Sequence, residues 1–201
     1  MNFTAPPRVM KTPSIIEVHE GHNVTLQCNA VGSPKPTVIW RRQDRQLIRF
    51  NGATGYGTTI YNGSTLTISR VSRKHMAEYV CTASNGIPPD AVFNIRLHVL
   101  FKPNVKAKVR TVSVPYGGQV NMVCNVEAWP SADVTWSKNG AEILDSEKFV
   151  FTIDRREKYF SLHILTVKSV SSDEYDVYRC TAKNDIGQAY DEIVVKGASA
   201  N

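Results

Sequence analysis

Val24-Thr-Leu-Gln-Cys28 is followed twelve positions later by Trp40, and the chain then reaches Tyr79-Val-Cys81. The figure returns in the second half, where Cys124 precedes Trp136 by the same interval and Tyr178-Arg-Cys180 follows. In the opening stretch apolar and polar residues alternate with period two. Val24, Leu26 and Cys28 therefore share one face of a strand, and Asn23, Thr25 and Gln27 share the other. In each half the cysteines stand about 55 residues apart, far from the short CxxC spacing of zinc and redox sites. The spacings fit two packed sheets stapled from strand B to strand F, Cys28 to Cys81 and Cys124 to Cys180. Trp40 and Trp136 on strand C then cover the cystines, while Tyr79 and Tyr178 turn their hydroxyls back to the backbone at the E–F corner.

A repeat of this kind sets the architecture before any other reading. The expected fold class is all-β: two tandem immunoglobulin-like (I-set/C2-type) β-sandwiches in an extended rod. The expected domains are 1–100 and 101–196, with a C-terminal stalk at 197–201. Asn139-Gly140 fits a two-residue hairpin between C and C′. Asn85-Gly86-Ile-Pro88-Pro89 and Asn184-Asp-Ile-Gly187 read as the F–G turns, and Asn62-Gly63 as the turn before strand E. Between Phe93-Asn-Ile95-Arg-Leu97-His-Val99 and Phe101-Lys-Pro103 no glycine- or serine-rich stretch intervenes, which implies little slack at the boundary.

Hydrophobic residues make up 42% and charged residues 21% of 201, enough apolar material for packed cores. No apolar run approaches the roughly 20 residues that cross a bilayer. The opening MNFTAPPRV lacks the apolar stretch of a signal peptide, so a secreted protein is expected to be represented here by a mature fragment. Paired cysteines at long, matched intervals point to disulfides and an oxidising compartment; four reduced core thiols, as in muscle-type repeats, are the alternative. The sequons Asn2-Phe-Thr4, Asn23-Val-Thr25 and Asn62-Gly-Ser64 shift the balance toward secretion. Asn23 falls on the solvent side of strand B, Asn62 in a turn and Asn2 near a terminus, so Asn2, Asn23 and Asn62 are the expected glycosylation sites.

Three segments carry a resemblance to a known family: Cys81-Thr-Ala-Ser-Asn-Gly-Ile-Pro-Pro89, Leu97-x-Val99-x-Phe101-x-Pro103 and Cys124-Asn-Val-Glu-Ala-Trp-Pro130. From Pro6 to about Val195 the chain resembles the second and third immunoglobulin domains of neural surface proteins of the lachesin, klingon, DIP and IgLON type. The resemblance implies a neuronal cell-adhesion and recognition glycoprotein at the extracellular cell surface, often with a lipid (GPI) anchor. It also implies homophilic or heterophilic contact with another immunoglobulin-superfamily protein through a first domain absent from these residues. Pro6-Pro7-Arg8-Val9 looks like the family's junction between first and second domains. On this reading the fragment spaces that binding domain from the membrane, and membrane association comes only through an anchor beyond the chain. Gly197-Ala-Ser-Ala-Asn201 has the small, polar composition of a pre-anchor stalk. The chain departs from the family pattern at His75, where an acidic residue usually precedes the corner tyrosine, and at Asp176, where glycine is usual.

Catalysis finds no constellation. His19, His22, His75, His98 and His163 are scattered, and His19-Glu-Gly-His22 has i, i+3 spacing where a zincin helix needs i, i+4. No enzyme, cofactor or metal site is expected. Charge is more informative. Residues 1–100 hold 11 Lys and Arg against 5 Asp and Glu, whereas residues 101–201 hold 13 against 13, so the whole net charge of +6 lies in the first half. Arg41, Arg42, Arg45 and Arg49 cluster near strands C and C′, and Arg70, Arg73 and Lys74 near the E–F turn. These seven form a candidate binding surface for heparan sulfate or another acidic ligand, since clustered charge steers such partners; a solvated, solubilising face is the plainer reading. Such a ligand-binding receptor module is the alternative to the spacer. Nucleic acid is not expected, because no recognition motif is present. Trp129, Phe50, Tyr56 and Tyr61 lie outside the core pattern and stand as further interface candidates.

Overall fold

The computed structural model describes residues 1–199, and the chain divides into two compact units between Leu100 and Phe101. Residues 200 and 201 of the expected stalk lie outside the described residues.

In the first unit the strands are β1 (Ala5–Val9), β2 (Ile15–His19), β3 (Val24–Gln27), β4 (Ala30–Ser33), β5 (Thr37–Arg42), β6 (Ile48–Arg49), β7 (Gly57–Thr58), β8 (Tyr61–Asn62), β9 (Thr65–Ile68), β10 (Ala77–Ser84) and the first part of β11 (Ala91–Ala107). β8, β5, β10 and β11 lie side by side as one sheet, with β2 parallel to β11. β3 pairs with β9 in the facing layer. The alternation read from the sequence is the burial pattern observed: Val24, Leu26 and Cys28 are buried while Asn23, Thr25 and Gln27 are exposed. Leu26, Leu66, Ile68, Ile95 and Leu97 are buried, as is Trp40, which is in register with Cys81 of the Cys28–Cys81 disulfide. Fully burying side chains of this size stabilises by about 1.5–3 kcal/mol each.

The second unit repeats the plan with β12 (Thr111–Val114), β13 (Val120–Trp129), β14 (Asp133–Lys138), β15 (Ala141–Glu142), β16 (Phe149–Arg155), β17 (Phe160–Val167), β18 (Val177–Lys183) and β19 (Gln188–Gly197). One sheet runs β16–β17–β13 and on to the last part of β11; the other runs β12–β19–β18–β14–β15. Met122, Leu165, Val167 and Ile193 surround Trp136 and the Cys124–Cys180 disulfide. β19 continues through Gly197, so the first residue of the expected stalk still belongs to a strand. Asn139 and Gly140 both take positive φ, 51° and 75°, between the pairs Lys138↔Ala141 and Ser137↔Glu142. This is the type I′ hairpin that the Asn-Gly dipeptide predicts, because only a primed turn matches the right-handed strand twist. No helix among the described residues is long and apolar enough to cross a membrane.

Candidate binding surface

The two E–F corners are built alike up to one residue. The Tyr79 hydroxyl donates to the carbonyl of His75 at 2.7 Å, and the Tyr178 hydroxyl donates to that of Glu174 at 2.8 Å. In the second unit the Glu174 carboxylate receives the Ser171 N–H at 2.8 Å and the Lys148 ammonium at 2.5 Å. Burial works to raise its pKa, but the hydrogen bonds from Lys148 and Ser171 outweigh it and pull it down to about 2. In the first unit His75 makes the equivalent bond with its ring: Nδ1 accepts the Ser72 N–H at 2.9 Å, and Nε2 lies 2.8 Å from the Arg49 carbonyl. A carbonyl only accepts, so the proton sits on Nε2 and the ring is neutral. Burial pushes its pKa below the ordinary value of 6.5.

Arg42, the last residue of β5, is paired locally. Arg42 is 8% exposed and binds both oxygens of Asp44, at 3.0 and 2.7 Å. Its remaining nitrogen donates to the Lys74 carbonyl at 3.1 Å, so the group is committed within the unit. Arg73 is likewise held by the Glu20 carboxylate at 2.9 and 3.0 Å, which draws the Glu20 pKa down. Arg49 donates to the Gly55 carbonyl, and Arg70 reaches the Asn51 side chain at 2.9 Å. Of the seven cationic residues singled out by the sequence, Arg41, Arg45, Arg70 and Lys74 are exposed, Arg49 and Arg73 are half-buried, and Arg42 is inside. Arg42 therefore leaves the candidate surface, because its guanidinium faces the Tyr79 ring and Asp44.

The sequons are all exposed at their asparagines. The Asn23 carbonyl oxygen accepts the Arg70 N–H at 3.0 Å, which leaves its amide nitrogen as the free end. Asn62 ends β8, in register with Ile39 of β5, and is therefore part of a sheet face; the reversal falls at Gly63, with φ of 125°. Phe50 and Tyr61 are half-buried against each other, 5.8 Å between rings, and Tyr56 stands 85% exposed. Trp129 is half-buried at the end of β13, opposite Phe101. His19 and His22 approach to 5.9 Å, yet among the described residues no group of three His, Cys, Asp or Glu side chains is arranged to hold a metal.

Sequence reading missed a repeated clamp. Asn85 donates its amide to the carbonyls of Ala5 and Pro34, both at 2.8 Å, and Asn184 donates to those of Phe101 and Pro130 at 3.0 and 2.9 Å. The recurrence of asparagine four positions after the second cysteine in both halves is the signal that marks it. A shallow concavity of about 510 Å³ on the outer face of β13 and β17, walled by Asn125, Phe160 and Leu162 with Lys108 and Arg156 at its rim, also had no sequence signature.

The immunoglobulin domain family matches residues 6–85, and the immunoglobulin I-set domain family matches residues 103–196. The chain belongs to the immunoglobulin superfamily. Lachesin of Schistocerca americana is 32% identical over 181 residues, covering 88% of this chain and 48% of that protein. Lachesin of Drosophila melanogaster is 30% identical over 196 residues, covering 94% and 51%. The chain thus spans about half the length of these curated relatives. A chain in the crystal structure of Dpr2 Ig1-Ig2 in complex with DIP-Theta Ig1-Ig3 superposes with a TM-score of 0.91 at 35% identity, over 97% of this chain and 66% of that one. The resemblance to lachesin-type proteins carried by the quoted motifs is borne out, and the immunoglobulin domains matched are of a non-enzymatic family.

Proposed function

We propose that these two domains belong to an extracellular, cell-surface recognition protein of neurons, and that they space a binding domain, carried elsewhere in the protein, from the membrane. The observation that carries this reading is the close superposition on the complex containing Dpr2 and DIP-Theta, at 35% identity and with a third of the matched chain left without a counterpart here. Two disulfides and three exposed sequons suit an oxidising, glycosylating compartment. The partner class is another immunoglobulin-superfamily protein. Cells displaying the 201 residues behind the protein's own upstream domain aggregate with each other or with partner-bearing cells, and cells displaying the 201 residues alone do not. Aggregation by the 201 residues alone overturns the spacer reading.

The charge favours a second reading, a receptor module for heparan sulfate. All of the net +6 lies in residues 1–100, and Arg41, Arg45 and Lys74 are exposed there.

A further inference from the structure

The outer face of the sheet formed by β8, β5, β10 and β11 carries a straight row of side chains. Asn62 is paired with Ile39, Ile39 with Thr82, and Thr82 with Val92. The neighbours of each point the other way: Trp40, opposite Tyr61, is buried, and Cys81 beneath it is in the disulfide. Strands lie about 5 Å apart, so the row spans roughly 14 Å from Asn62 to Val92. Ile39 and Thr82 are half-buried and Val92 is 61% exposed. The next row is Arg41, Val80 and Asn94, the last donating to Glu78 at 3.2 Å.

We propose that a glycan carried by Asn62 lies along this row and is the occupant of the face. The inference rests on the reading of Asn62-Gly-Ser64 as a used sequon. A sugar ring presents a C–H face and a rim of hydroxyls. Ile39 and Val92 offer aliphatic contact to the first, while Thr82, Asn94 and Arg41 offer hydrogen bonds to the second. Asn62 is one strand spacing from Ile39, so the first N-acetylglucosamine ring stands beside the apolar side chain as soon as it is attached. A protein partner centred on Ile39 would have to displace that ring. The Asn23 sequon is on β3's layer, the opposite side of the unit, and its glycan covers none of these residues. No sequon occurs after residue 64, so the outer faces of the second unit carry no N-linked sugar.

The test is hydroxyl-radical footprinting of the chain secreted from eukaryotic cells, with glycopeptide mass spectrometry reporting occupancy at Asn62. Asn62→Gln and Ser64→Ala each abolish the sequon, and the second keeps Asn62 in place; near-ultraviolet circular dichroism verifies folding. Ile39 and Val92 are expected to oxidise several-fold faster in both variants than in the glycosylated chain, whereas Asn23→Gln leaves their rates unchanged. Equal rates with Asn62 occupied overturn the coverage while leaving the sequon reading intact. An unmodified Asn62 overturns both.

Discussion

His75 and Glu174 occupy the same corner with opposite electrical consequences. A carboxylate there draws in a cation, and Lys148 meets Glu174 at 2.5 Å. A neutral imidazole satisfies the same Ser72 N–H without attracting charge, and the nearby Arg42 guanidinium adds to the burial that disfavours its protonated form. The folded chain therefore binds fewer protons at His75 than the unfolded chain does. The stability this contributes is complete above pH 6.5 and is lost as pH falls through the lowered folded value. Glu174 follows the carboxylate rule: its contribution is complete above pH 4.5 and disappears as pH falls toward about 2. His98 and His163 are also held below the ordinary value by burial, so a variant is needed to isolate the corner. Between pH 7 and 5 the melting temperature of the wild type is expected to fall more than that of His75→Gln, measured by calorimetry at matched ionic strength. Parallel curves would remove His75 from the account. The sequence marked this position as a departure from its family, but the direction of the effect needed the burial and both ring partners.

At the level of strands and turns, the F–G connections show how much a local signal conveys. Asn-Gly and Asn-Asp-Ile-Gly announce turns because asparagine bonds its own backbone two residues on, and the Asn184 side-chain oxygen does accept the Ile186 N–H at 3.0 Å. The other end of the same amide reaches the carbonyls of Phe101 and Pro130, which lie 83 and 54 residues earlier in the chain. Such a bond ties the turn between β18 and β19 to the strand entering the unit and to the loop after β13. Asn184→Ala leaves both carbonyls without this donor in a half-buried site, and is expected to cost about 2 kcal/mol. Urea unfolding followed by tryptophan fluorescence measures it, and a shift within error would reduce the clamp to a turn residue. Asn62 teaches the same lesson in reverse. Its triplet was plain, but its placement on a strand in register with Ile39 was not, because an Asn-Gly pair after Tyr61 reads equally well as a free turn.

Over the whole chain the charge balance is the most uneven property: residues 1–100 carry the entire net +6. What that charge can do depends on which cations reach solvent. Of the seven candidate cations, Arg42 and Arg73 are held by Asp44 and Glu20, so a polyanion meets chiefly Arg41, Arg45, Arg70 and Lys74. If the first unit is a heparan-sulfate module, the chain elutes from immobilised heparin well above an ionic strength of about 0.15 M, where charges farther apart than about 8 Å are largely screened. The triple variant Arg41→Glu, Arg45→Glu, Lys74→Glu then elutes earlier. Elution at or below that salt, unmoved in the variant, returns these residues to a solubilising role.

Strand alternation and the cysteine–tryptophan–tyrosine spacing were enough to determine two disulfide-crossed sandwiches, since period-two burial and a closed cystine leave few other arrangements for such a chain. Composition and sequons likewise determined the kind of compartment to expect. Which polar groups are committed inside the molecule was decided only by tertiary structure. Arg42 is inside, His75 is neutral and Asn62 stands beside Ile39 because residues tens of positions away along the chain supply the Lys74 carbonyl, the Arg49 carbonyl and the β5 register, and no local pattern encodes those distances.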